Sequence, residues 1–188
     1  MSDSPSLPFP LGHGSVTIAT RDGRAVRIRH IAPEDAALLV DLYEQLSPET
    51  RRLRFFAPKP DLPDEVLWRE AVRLSAIDPL VQAALIGTVQ EAGRERAIGV
   101  ARLVRDAADP TTAEVAIVVR DDYQGQGIGK TLFDLLIQVA MVRGLNRLRA
   151  IALAENRAAQ RLVRSLGLPV TSSTLRGETT MIISLLDS

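Results

Sequence analysis

The chain has no cysteine among its 188 residues. That removes disulfides, zinc-thiolate sites and a cysteine nucleophile together, and it suits a reducing compartment. Net charge is missing as well: 23 basic side chains balance 23 acidic ones. No overall field therefore draws the chain to nucleic acid or to a membrane surface, and neither is expected as a partner. A local basic site for an anionic ligand stays open. Long apolar runs are absent, none approaching the roughly 20 residues that cross a bilayer. Residues 1–14 carry Pro5, Pro8 and Pro10 but neither a basic leader region nor an apolar one, so they do not read as a signal peptide. They read as a loose N-terminal tail, with residues 15–188 forming one domain, expected in the cytoplasm. Histidine is scarce. His13 falls in the tail and His30 at a strand end; neither is given a catalytic or metal role, and no metal is expected.

What is present is enough to build a core, with 46% of residues hydrophobic. Ser15–Ala19 and Ala25–Arg29 alternate as short strands around Asp22-Gly23, a hairpin signal. Pro33 opens a helix whose Leu38, Leu39, Leu42, Tyr43 and Leu46 recur at helical spacing, and Ser47-Pro48 stops it. Arg51 to Phe56 mixes basic and aromatic residues before a proline cluster, and a second helix is expected from Asp64 to Leu74. Strands follow at Gln82–Val89, Ala97–Val104 and Glu114–Val119, the last apolar on both faces and so expected to be buried. After a glycine-rich turn, Leu132, Leu135, Leu136, Val139 and Ala140 mark a long helix that Gly144 ends. A strand at Arg147–Ala152, a helix at Asn156–Leu166 and a strand at Met181–Leu186 complete the order. Only part of it alternates β-α-β. The fold class is therefore α/β, with a mixed, mostly antiparallel central sheet and about four flanking helices.

The turn carries the chemistry. A strand ends, Gln124-Gly125-Gln126-Gly127-Ile128-Gly129-Lys130 follows, and a helix starts. Glycine lets backbone approach a ligand and take positive φ. A helix N-terminus offers free N–H groups and a partial positive charge suited to phosphate, and Lys130 adds a full one. Two nucleotide patterns come close. A Walker loop ending in Gly129-Lys130-Thr131 needs glycine where Gln124 stands, and a dinucleotide Gly-x-Gly-x-x-Gly needs glycine where Lys130 stands. Each fails by one residue, which does not exclude it.

Gln124-x-x-Gly127-x-Gly129 fits a third pattern in full. It matches the Arg/Gln-x-x-Gly-x-Gly/Ala signature of the GNAT superfamily of N-acetyltransferases, which this chain resembles over roughly residues 25 to 186. Asn156, Ala159, Leu162 and Gly167 match that family's second motif. Ile31-Ala-Pro-Glu-Asp, the stretch from Leu46 to Phe56 and the stretch from Ala113 to Gly125 look like bacterial Pat-type protein lysine acetyltransferases. The resemblance implies acetyl-CoA as cosubstrate. Its pyrophosphate would lie on the turn from Gln124 to Lys130, with Ile117, Val118, Val119 and Asn156 completing the site. A protein lysine would be the acceptor, on a partner such as an acyl-CoA synthetase. Pat-type relatives carry a synthetase-like or cyclic-nucleotide-binding domain beside the transferase. The present sequence has no room for either, so their regulation is not carried over.

An attacking amine must lose a proton. For a lysine this costs about 4.6 kcal/mol at pH 7, from a pKa near 10.4. Glu114 is the candidate base, since it opens a strand and shares a face with Ala116 and Val118, which would give it apolar surroundings. The resemblance implies the same role. Otherwise Glu114 is a solvated strand-end residue. Asp121 and Asp122 read as turn formers and Glu155 as a favourable acid before a helix. Asn156 is read either as a pantetheine partner or as a helix cap. Arg51, Arg52 and Arg54 are read either as a contact for an acidic surface or as a solvated face. Where the family often has a thiolate-protonating tyrosine, seven residues beyond the motif asparagine, this chain has Val163. Direct transfer in a ternary complex follows, with a small-amine acceptor or a non-catalytic acyl-CoA sensor as the alternatives.

Overall fold

A computed structural model describes residues 9, 10, 12, 14–56 and 62–186. The expected N-terminal tail lies mostly outside the described residues, His13 included. Among the described residues eight strands form one sheet: β1 (Ser15–Ala19), β2 (Ala25–His30), β3 (Gln82–Glu91), β4 (Arg94–Arg105), β5 (Thr112–Val119), β6 (Arg147–Leu153), β7 (Val170–Leu175) and β8 (Glu178–Ser184). Their spatial order is β1-β2-β3-β4-β5-β6-β8-β7. Every pairing is antiparallel except β5 with β6. Two hairpins close on paired positive-φ residues, Ala92-Gly93 and Arg176-Gly177, the geometry that matches strand twist.

Among the described residues five α-helices cover the sheet, one more than expected: α1 (Ala36–Gln45), α2 (Pro48–Phe55), α3 (Asp64–Ser75), α4 (Ile128–Val142) and α5 (Arg157–Arg164). The additional one is α2. Pro48 does end α1, but it also occupies the first position of the next helix, where its missing N–H costs nothing. Ser47 caps it by accepting the Thr50 N–H at 3.1 Å. On one face, Leu42 of α1 and Leu46 at its C-terminal cap pack on Ile86 and Val100. On the other, α4 sinks Leu132, Phe133, Leu136 and Ala140 into the main core with Leu85, Ile98, Leu103 and Leu148. No helix among the described residues is long and apolar enough to cross a membrane.

The strand absent from the sequence reading is β7. Its residues Thr171 to Leu175 are all exposed, so no alternation marks it, and its ladder to β8 and the packing of Val170 on the core hold it. Val163 is 3% exposed and belongs to the core.

Candidate active site

The site follows from the one parallel pairing. Strand β5 is paired with β4 from Ala113 to Val119, but with β6 only from Thr112 to Val115, opposite Arg147 to Ala150. Beyond that point the two strands diverge and a cleft of about 810 Å³ opens between them, a size typical of small-molecule sites. The Arg120 N–H bonds the Ile98 carbonyl at 2.8 Å. By strand alternation, Ile117 and Val119 then turn their N–H and C=O groups toward the gap. The Val119 carbonyl accepts a hydrogen bond there from Gln124 Nε2 at 3.1 Å.

At one mouth of the cleft lies the glycine turn. A short 3₁₀ turn, Asp121–Tyr123, leads into it and is tied down from beneath. Arg120 is 5% exposed and donates to both Glu91 and Asp122, and the Tyr123 hydroxyl donates to Glu91 at 2.9 Å. Gly125 and Gly127 have φ of 72° and 91°, and Gly127 is the N-cap of α4. The Thr131 N–H is the first to bond back, to the Gly127 carbonyl at 3.0 Å. The N–H groups of Ile128, Gly129 and Lys130 thus end the helix without intrahelical acceptors, at its positive end. Gly129 sits where β5 and α5 approach, 3.6 Å separating an added Cβ from Leu162. Lys130 is tied to Asp134 at 2.7 Å, so its charge reaches the turn partly neutralised.

The structure thus brings Ile117, Val118, Val119, Gln124, Gly125, Gly127, Gly129, Lys130, Asn156 and Glu114 to one cleft. It does not do so for two others. Ile128 is buried in the core, and Gln126 is half-buried beside the cleft, its Oε1 enclosed and without a partner among the described residues. Asn156 caps α5, its Oδ1 accepting the Ala159 N–H at 3.0 Å, while also lining the cleft. His30 lies elsewhere, its Nε2 against the Pro10 carbonyl at 2.7 Å.

Glu114 stands toward the other mouth, and its surroundings correct the expectation. Its side chain is 51% exposed and faces Arg149 Nη2 at 3.5 Å, rather than sitting in an apolar pocket. The cause is register. Glu114 is paired across the parallel ladder with Arg149, a neighbour 35 positions away that no local pattern announces.

Helix α2 was the least legible part of the site. It forms a bridge across the cleft. Asp121 accepts from Ser47 N, Ser47 Oγ and Thr50 Oγ1 at 2.7–2.8 Å, and Arg52 pairs with Glu155 at 2.5 Å. Burial would raise Asp121, but the Ser47 and Thr50 hydrogen bonds outweigh it and lower its pKa. The Ser-Pro-Glu sequence at Ser47 is an N-terminal helix signal and could have exposed the bridge. Asp121→Ala should remove about 1–3 kcal/mol of stability, read as a lower melting temperature. It should also weaken cosubstrate binding modestly, because Gln124 contacts Thr50 at 3.3 Å. Unchanged melting would mean that the three bonds contribute nothing.

Arg54, also on α2, lines the cleft with Leu53 and Phe56. Burial pushes its guanidinium below the usual range, against the pull of Glu114. Arg102 on β4, opposite Ala116, is held down at about 10 by burial, with Arg54 and Arg73 adding repulsion.

A mixed sheet parted at its single parallel step, with a phosphate-type helix start at the opening and a carboxylate across it, defines an acyl-transfer cleft for a long phosphorylated donor. The family described as acetyltransferase (GNAT) domain matches residues 25–169. The chain belongs to that family and is an acetyl-CoA-dependent N-acetyltransferase. It is 32% identical over 146 residues to acetyltransferase PA5475 of Pseudomonas aeruginosa, covering 78% of this chain and 76% of that one. It is 30% identical over 152 residues to acetyltransferase Pat of Mycolicibacterium smegmatis, covering 81% of this chain but 44% of that protein. The crystal structure of the GNAT domain of S. lividans PAT superposes with a TM-score of 0.79 at 28% identity, covering 95% of this chain and 99% of that one.

Proposed function

We propose that the chain acetylates the side-chain amine of a protein lysine by direct attack in a ternary complex. One observation carries this reading: the parted strands connect the glycine turn to Glu114 through a single cleft. The free N–H groups at the start of α4 hold the pyrophosphate of acetyl-CoA. Ile117 and Val119 pair with the pantetheine amides as if it were a further strand. Asn156 flanks the same arm.

Glu114 takes a proton from the acceptor ammonium, and the neutral nitrogen then attacks the thioester carbonyl carbon and releases its second proton to solvent. An N–C bond forms, the C–S bond breaks, and the electron pair leaves on sulfur. Val163 supplies no hydroxyl to that sulfur. A thiol of pKa about 8.5 is acidic enough to depart as thiolate. The similarity to the protein named Pat supports a protein lysine as acceptor, and we place that lysine on a partner such as an acyl-CoA synthetase in the cytoplasm.

Intact-mass analysis of a purified acyl-CoA synthetase after incubation with acetyl-CoA and enzyme tests the acceptor. A gain of one acetyl group on a lysine supports it, and acetylation of small amines alone sinks it. Acetyl-CoA should also raise the melting temperature, since a ligand at 100 times its Kd adds about 2.7 kcal/mol to the folded state. ATP with magnesium should shift it far less. A larger shift with ATP would revive the near-Walker reading of Gly129-Lys130-Thr131.

A further inference from the structure

The acceptor side of the cleft carries more positive charge than it balances. Arg149 has its charge met, pairing with Asp106 at 3.1 Å and with Glu114 at 3.5 Å, although its Nε is enclosed without a partner among the described residues. Arg102 donates only to neutral oxygens, Gln82 Oε1 at 3.2 Å and the Leu74 carbonyl. Arg54 stacks near the Phe55 ring at 5.1 Å. Its Nε is enclosed, with no hydrogen-bond partner among the described residues. With Arg73, which lies near Arg102 and is paired with Glu70 at 2.7 Å, four guanidiniums share three carboxylates, and neither Arg54 nor Arg102 makes an ion pair with any of them.

This is an awkward place to receive a lysine, which arrives as a cation. Buried charge without a counter-charge is costly, and a second cation beside it is repelled. Both difficulties vanish if the acceptor brings a carboxylate of its own. A guanidinium fork is the protein group best shaped to take one, through two parallel N–H···O bonds. Arg54 lines the cleft and Arg102 is near enough to repel it, so a carboxylate bound at Arg54 would lie beside Glu114 and not on it.

We propose that Arg54, backed by Arg102, forms a carboxylate subsite, so that the preferred acceptor is a lysine with an aspartate or glutamate next to it in space. This rests on the lysine-acetylation reading and narrows it to a class of target. Arg54 recognises, Arg102 supports its charge, and Glu114 remains free to accept the proton.

Two lysine peptides, identical except that acidic residues flanking the lysine are replaced by Asn and Gln, test this in steady-state assays with the full chain and saturating acetyl-CoA. The wild type should favour the acidic peptide by about tenfold or more in kcat/KM, with the difference shrinking at high salt. Arg54→Gln should abolish the preference, and Arg54→Lys, which keeps the charge but loses the fork, should retain part of it. If Arg54→Gln does not fold, Arg54→Lys and the salt dependence still decide. Equal kcat/KM for the two peptides in the wild type overturns the subsite and leaves lysine acetylation standing, as does a full preference in Arg54→Gln. A third arm compares a free amino acid with its amide. Acetylation of the acid alone, with both peptides inert, would keep the carboxylate subsite and overturn the lysine reading. Inert peptides together with an inert amino acid would overturn both.

Discussion

Glu114→Gln should lower turnover by about 10²- to 10⁴-fold, the range a positioned general base contributes, while the acetyl-CoA Kd stays near wild type. The amide keeps the size and hydrogen-bonding outline of the carboxylate but accepts no proton. Its ion pair with Arg149 at 3.5 Å is half-exposed, so losing it should cost at most about 1 kcal/mol, and the variant should fold. The proposed cosubstrate contacts lie further along β5, at Ile117, Val119 and the turn, beyond the reach of this change. Raising acetyl-CoA should therefore not restore the rate, since occupancy is not what was lost. The variant should recover most at high pH, where the acceptor amine loses its proton unaided. The measurement is a pH series on both proteins with one verified acceptor. Turnover close to wild type would pass the proton to water or Glu155 and return Glu114 to the status of a strand-end residue.

Gly127→Val should raise the acetyl-CoA Kd by at least about tenfold, a loss of about 1.4 kcal/mol. Two effects act together. Gly127 has a φ of 91°, a region that β-branched residues avoid. A Cβ built there meets no protein atom within 4 Å, so the valine would project into the mouth where the pyrophosphate is proposed to lie. Gly129→Ala is the matching control. Its Cβ would rest at ordinary contact distance from Leu162 and Val119, 3.6 and 3.7 Å, and it needs no positive φ, so a smaller effect is expected. Isothermal titration on the folded proteins separates the two. Unchanged affinity in folded Gly127→Val would place the pyrophosphate elsewhere.

Much of this was legible because it is written locally. The alternation in β1 and β2, the apolar stripe of α4 and the glycines of its entry turn depend on neighbours a few positions apart. Pro48 misled because a proline ends one helix and begins another with equal ease. The strand β7 was silent because Thr171 to Leu175 bury neither face. The surroundings of Glu114 were wrong for a deeper reason. Ala116 and Val118 do share its face, but Arg149 reaches it through a parallel ladder closed by the whole of α4, and Arg54 through a helix folded back over the sheet. Register and bridging are products of assembly, and periodicity does not encode them.

The shortness of the β5–β6 ladder has a mechanical consequence. The sheet is two antiparallel ribbons, β1 to β5 and β6-β8-β7, and the strand pairing that joins them spans four residue pairs, Thr112–Arg147 to Val115–Ala150. A ligand seated between Val119 and Ile151 would act as a suture on that seam, supplying backbone pairing that the chain does not make for itself.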